Sequence, residues 1–275
     1  MNAPAVELYR SKGVDLHCEP LEIALCAQHC NGGVAVDLWW QTELAGLFCV
    51  GEAAGTHGVR RPGGSALNAG QVGALRAAQY IAQAGLRAPA DTAAFLRLAE
   101  PVVRRHRALA QEMLRGGDTC GELLRRAQAR MSGAGGVLRS AEDLREALRQ
   151  SREDLDQFSE RVKVKTPAQL WTAYRLRDCL ISQCVTLCAM LDYVQRGGLS
   201  RGSALYYTPQ GTRPEGLEDA FRFQCGGGEW DGELQEVRYH NGACTAQWRP
   251  VHPLPEGGGV FETVWRRYRD DRNIF

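Results

Sequence analysis

Apolar and polar positions along the chain follow three successive regimes. In residues 1–86, short apolar runs at 21–26, 33–38 and 46–50 alternate with Gly, Ala and polar residues, a pattern that predicts strands in an α/β layer. Residues 87–197 switch to helical spacing. Leu96, Leu98, Val102 and Val103, then Leu109 and Met113, mark a first helix, which Pro101 is expected to kink or restart. Ser140-Ala141-Glu142-Asp143 resembles a capping box, and Leu144, Leu148, Leu155 and Phe158 follow it on one face. A third helix is expected over about residues 168–194, closed by Gly197-Gly198 as a C-cap signal. Three amphipathic helices with short connections predict an antiparallel bundle. Residues 198–275 are rich in Gly, Pro and aromatics, with edge strands expected at 234–240 and 243–250. Trp248, Trp265 and Tyr268 are expected to anchor this last part onto the helices.

Composition narrows the function classes. The formal net charge of +1 gives no global drive toward nucleic acid or an anionic membrane. His106, among Arg104, Arg105 and Arg107, reads as part of a solvated helix face offset by nearby acids. No apolar run reaches the length of about 18 residues that would read as a membrane-spanning helix. The first residues lack the basic and apolar segments of an export signal, so most of the ten cysteines read as reduced thiols in a cytoplasm. Cys184 and Cys188 are four apart on the third helix, but no second pair matches them. They read as small buried hydrophobes, and no metal site is expected.

The chemistry concentrates in residues 46–81. An apolar run ends at Gly51-Glu52, and a carboxylate just past a strand end can accept two hydroxyl hydrogen bonds from a ribose-like or ribityl chain. Gly55, Gly58, Gly63 and Gly64 permit tight turns and close backbone approach. Pro62 restrains Arg61 to extended conformations, which aims its side chain. Ser65 is expected to N-cap a helix over residues 66–81. The N–H groups of that first turn and the helix dipole favour an anion or an electron-rich carbonyl, and Arg61 beside them suits a carboxylate. The bland alternative is a strand–loop–helix crossover carrying an incidental arginine.

Two blocks of this stretch resemble the flavoprotein subunit of succinate dehydrogenase and fumarate reductase, a family that includes L-aspartate oxidase. Gly46-Leu47-Phe48-Cys49-Val50-Gly51-Glu52 is similar to the family's Gly-Leu-(Tyr/Phe)-Ala-Ala-Gly-Glu. His57 to Leu67 is similar to its His-Gly-Ala-Asn-Arg-Leu-Gly-Gly-Asn-Ser-Leu. Farther on, residues 136–142 resemble Gly-Val-Phe-Arg-Thr-Glu-Glu, and Ser200-Arg201-Gly202 matches part of Glu-Ser-Arg-Gly, with Leu199 in place of the glutamate. The resemblance implies FAD as cofactor, a partial FAD-binding Rossmann-like domain over 1–86, a helical bundle over 87–197 and a C-terminal extension over 198–275. It implies that Glu52 holds the FAD, that Ser65, Ala66 and Leu67 lie at the flavin ring, and that Arg61 and Gly64 bind the carboxylate of a small substrate.

The sequence also departs from the family. The segment matching His-Tyr-Thr-Met-Gly-Gly is Gln28-His29-Cys30-Asn31-Gly32-Gly33. Without a gap, Gln28 takes the His position. Either His29 serves with a shifted backbone or the carboxylate clamp is altered. Asn-Arg-Leu is replaced by Arg60-Arg61-Pro62. No Gly-x-Gly-x-x-Gly precedes residue 47, so the pyrophosphate turn of a dinucleotide fold is missing from the pattern. The expectation is the C-terminal part of an FAD-dependent oxidoreductase, completed by an N-terminal FAD-binding polypeptide or served by an electron-transfer subunit. The alternative is a catalytically incomplete fragment or a partner subunit with a role in assembly.

Overall fold

The computed structural model describes residues 2–22, 31–57, 64–84, 91–202, 204–226, 230, 232–240, 242–251 and 260–271. They form two compact units, Met1–Leu86 and Arg87–Phe275.

The first unit carries helix α1 (Ala3–Ser11), a one-turn 3-10 segment (Gly51–Ala54) and helix α2 (Ser65–Ala84). The strands expected at 33–38 and 46–50 do not form; the expected run at 21–26 lies largely outside the described residues. A single antiparallel bridge joins Gln41 to Phe48. The physical reason lies in where the backbone groups go. A strand needs a neighbour for its ladder, but Val34 N–H donates instead to the Ala53 carbonyl at 2.8 Å. Asp37 then turns the chain, its Oδ1 accepting from Trp39 N–H at 2.8 Å and Gln41 N–H at 3.0 Å. This is an Asx-type turn, the local alternative that aspartate offers to a sheet.

The second unit is built on helices α3 (Thr92–Met113), α4 (Cys120–Ala134), α5 (Ala141–Asp156), α6 (Phe158–Arg161) and α7 (Leu170–Gln195). Ser140 caps α5 as expected, its Oγ accepting from Asp143 N–H at 3.0 Å. The close of α7 is a Schellman motif: Gly198 N–H reaches Tyr193 C=O, Gly197 N–H reaches Val194 C=O, and Gly197 sits at φ +79°. Two expectations change. Pro101 lies inside α3 without restarting it; proline removes its own N–H, and the turns on either side continue. The bundle also gains α4, a helix between two glycine pairs whose Leu123, Leu124, Ala127 and Met131 pack on the cores.

α7 is the axis of this unit. Ala173, Leu176 and Leu180 join Met113, Phe158, Val162 and Val164 in one core. Cys184, Leu187 and Leu191 join Leu144, Ala147, Leu148 and Tyr206 in a second. Between α4, α5 and α7 the buried Asp154 carboxylate accepts from Arg126 at 2.6 Å, from Arg161 at 2.9 Å and from Arg130. Strand β1 (Leu138–Arg139) pairs in parallel with β2 (Leu205–Thr212). Strands β3 (Glu233–His240) and β4 (Ala243–Pro250) form an antiparallel hairpin, Glu233 opposite Pro250 and His240 opposite Ala243. Trp248 anchors it, donating to Asp192 of α7 at 2.7 Å and stacking on Tyr193. Trp265, by contrast, is half exposed on helix α8 (Val260–Asp271) and pairs with Tyr268. No described helix is long and apolar enough to cross a membrane.

Candidate functional site

The site predicted from sequence lies in the first unit, and its glycines set its geometry. Gly51, at φ +68°, opens the 3-10 turn that carries Glu52, and Gly55, also at φ +68°, closes it with its N–H on the Glu52 carbonyl at 2.9 Å. Side chains other than Gly rarely adopt this backbone region. Gly33 crosses this turn with no room to spare: a Cβ there would lie 2.2 Å from Gly55 N and 2.5 Å from Ala53 O. The backbone at Gly32-Gly33 and the Glu52 turn are therefore pressed together. Glu52 itself is exposed.

Helix α2 rests on the same turn through Gly51 and Gly70, where a Cβ on either would lie 3.7 Å from the other's Cα. Gly70 is five residues into α2, so the helix start lies about 7.5 Å along the axis from this contact. That start differs from expectation in one detail. The Gly64 carbonyl accepts from Asn68 N–H at 3.1 Å, and Gly64 has φ +81°. Gly64 therefore occupies the cap position and Ser65 the first helical position, because the capping residue is the one whose carbonyl accepts the first helical bond. Ala66 is half-buried and Leu67 is 76% exposed. The first N–H groups of any α-helix have no partner within it and carry the positive end of its dipole. His29 and Arg61 lie outside the described residues.

Residues outside the expected ligand set, among them the Trp39-Trp40 pair expected to pack against this domain, hold the site together. Trp40 adopts φ +61° and lies against Gly73 of α2, so closely that a Cβ there would meet its indole Nε1 at 2.7 Å. That Nε1 is buried without a hydrogen-bond partner. Trp39 stacks on Tyr80 at 5.6 Å, with the Arg76 guanidinium 4.4 Å above its ring. A tryptophan pair in a sequence signals burial, but nothing in the pattern marks Gly73 as its receptor. His106 is also reassigned: it meets the Tyr174 ring of α7 at 5.7 Å, and its carbonyl accepts from Tyr174 OH.

Known proteins resemble parts of this chain. Residues 15–67 match the FAD binding domain family. A fumarate reductase (CoM/CoB) subunit of Methanothermobacter marburgensis is 48% identical over 66 residues, 24% of this chain and 12% of that protein. The L-aspartate oxidase of Mycobacterium leprae is 35% identical over 140 residues, 50% of this chain and 24% of that protein. The fumarate reductase flavoprotein subunit of Helicobacter pylori is 31% identical over 183 residues, 62% of this chain and 25% of that protein. Over these stretches the chain is similar to fumarate reductase flavoprotein subunits and L-aspartate oxidases, and over residues 15–67 to the FAD binding domain family.

Among solved structures, an E. coli quinol fumarate reductase FrdA variant matches with a TM-score of 0.61 at 21% identity, over 93% of this chain and 43% of that one. A quinol-fumarate reductase with menaquinol molecules matches with a TM-score of 0.63 at 22% identity, over 92% and 43%. These two matches show that the chain shares the fold of those fumarate reductase chains. The chain spans less than half the length of the solved chains and a quarter or less of the curated relatives. The matched segment at 15–67 contains the Gly33–Gly55 contact, the Glu52 turn and the start of α2.

Proposed function

We propose that this chain is the C-terminal part of an FAD-dependent oxidoreductase that transfers hydride between flavin and a small carboxylate substrate. The observation that carries the reading is the packing of the Glu52 turn on α2, which brings an exposed carboxylate and the start of a helix together within the segment that matches an FAD binding domain. The donor and acceptor set fits FAD. A carboxylate suits the hydroxyls of the ribityl chain, and the N–H groups at Ala66 and Leu67 suit the electron-rich pyrimidine edge of the ring. Among the described residues, nothing lies within 4 Å of where a Gly64 Cβ would stand.

FAD, when bound, supplies a two-electron acceptor for hydride. The chain's residues do the rest. Glu52 holds the cofactor by its hydroxyls. Ser65, Ala66 and Leu67 present backbone to the ring and favour negative charge there. Arg61, His29 and Gly64 take the substrate carboxylate and fix its carbon toward the flavin, the positioning that makes the transfer effectively intramolecular. An N-terminal FAD-binding polypeptide would contribute the pyrophosphate turn, and an electron-transfer subunit would exchange electrons with the flavin.

Titration of the purified chain with FAD, followed by flavin fluorescence and absorbance, tests the reading. Saturable binding is expected, weakened about tenfold in Glu52→Gln, the equivalent of one charge-assisted hydrogen bond. A chain that stays colourless with FAD, alone and with a polypeptide supplying the dinucleotide turn, overturns it and leaves the assembly role. In the assembled enzyme, Arg61→Ala is expected to lower turnover much more than flavin content. Unchanged turnover removes Arg61 from the site.

A further inference from the structure

The second unit contains a groove of about 690 Å³ between α5 and the C-terminal end of α7, within the size range of small-ligand sites. Its apolar lining comes from Leu148 and Leu191, both almost fully buried. Three arginines of one helix face line it: Arg145, Arg149 and Arg152, at positions i, i+4 and i+7 of α5. They differ in one respect. Arg149 is neutralised by Glu146 and Glu153, at 2.7 and 3.0 Å. Glu153, the first acid of the groove, is held in turn by Arg161 at 2.9 Å. Arg145 and Arg152 make no ion pair among the described residues. The Arg152 guanidinium touches the Cys244 thiol of β4, and its Nε is buried without a hydrogen-bond partner. A partly desolvated guanidinium with no carboxylate beside it and an unpaired Nε–H is a destabilising arrangement that a bound anion relieves.

Two uncompensated cations thus flank a compensated one. Seven residues separate them, two helical turns or roughly 10 Å along the axis, and the groove between has an apolar floor. We propose that this groove binds an elongated organic dianion whose two acid groups are joined by an apolar chain, one acid at Arg145 and the other at Arg152. Asp156, the remaining acid of the lining, stands four residues after Arg152 and near the turn at Gly242. Its charge opposes an anion at the Arg152 end and sets the affinity below what the arginines alone would give. The site is independent of the flavin reading.

Decanedioate, whose carboxylates are spaced to match, is the probe. Decanoate has one acid, and decane-1,10-diol has none. Calorimetric titration of the full chain is expected to show one decanedioate bound, about tenfold tighter than decanoate, with no measurable binding of the diol. In ¹H–¹⁵N spectra the Arg152 Nε–H resonance is expected to shift with the same saturation curve. Arg145→Gln changes an exposed residue and leaves the fold intact; it is expected to reduce decanedioate to decanoate-like affinity. Asp156→Asn is expected to tighten binding about threefold through loss of one repulsive charge. Equal affinity for the diol, unchanged affinity in Arg145→Gln, or an unmoved Arg152 resonance overturns the proposal.

Discussion

Single residues in the first unit hold positions that no other side chain fits. At Gly73 a Cβ would stand 2.7 Å from the Trp40 indole. Gly73→Ala would improve helix propensity by about 1 kcal/mol in isolation, yet displacing the indole outweighs it, since overpacking costs roughly 1–3 kcal/mol. A net loss of stability is expected, read as a lower midpoint for the first unit together with a changed Trp emission. Trp40 adds its own tension. A bulky residue at φ +61° is strained by about 1–3 kcal/mol, and the packing against α2 must hold it there. Little of this was legible in the sequence. The motif glycines signalled turns and close approach, and Gly51, Gly55 and Gly64 indeed adopt positive φ. What each glycine touches depends on residues far along the chain, as where Trp40 meets Gly73 or Gly33 meets Gly55, and spacing does not encode that.

At the scale of elements, the helices of the second unit were legible because their apolar faces repeat and their ends carry caps. Ser140 and the Gly197-Gly198 pair sit where the pattern put them. α4 was harder to read, because glycines flank it and a charged run interrupts its apolar face. The strands expected at 33–38 and 46–50 were misread because an apolar run becomes a strand only beside a partner, and Asp37 takes the backbone elsewhere. The hairpin on α7 makes a pH prediction. Burial pushes the Asp192 carboxyl up, but hydrogen bonds from Trp248, Arg196 and Gln235 outweigh it and hold the carboxyl below the ordinary range. Its stabilisation is therefore complete above the unfolded value of about 4 and is lost as pH falls through the lower folded value. The melting difference between wild type and Asp192→Asn is expected to be largest near neutrality and to narrow below about pH 4. The Asp154 cluster predicts a larger effect. Asp154→Ala leaves Arg130, itself 5% exposed, without its carboxylate. A loss of about 3–5 kcal/mol, the scale for breaking a buried ion pair, is expected in chemical denaturation.

For the whole molecule, stability is unevenly shared. Both hydrophobic cores lie in the second unit, whereas Leu38, Leu44, Leu67 and Leu75 of the first are each at least 60% exposed. Local opening free energy follows buried apolar contact, so hydrogen exchange should be slowest in α5 and α7 and faster in residues 31–57 and 64–84. Uniform protection across both units would contradict this. The backbone crossing at Gly33 and Gly55 carries a last consequence. Either glycine, once given a side chain, forces the same two stretches of backbone apart, and the second substitution then finds the space already made. In a double-mutant cycle, Gly33→Ala and Gly55→Ala should therefore be strongly non-additive, the pair costing scarcely more than the worse single change. The two positions, 22 residues apart in the sequence, behave as one locus, and a mutational scan would record them as sharing a single tolerance.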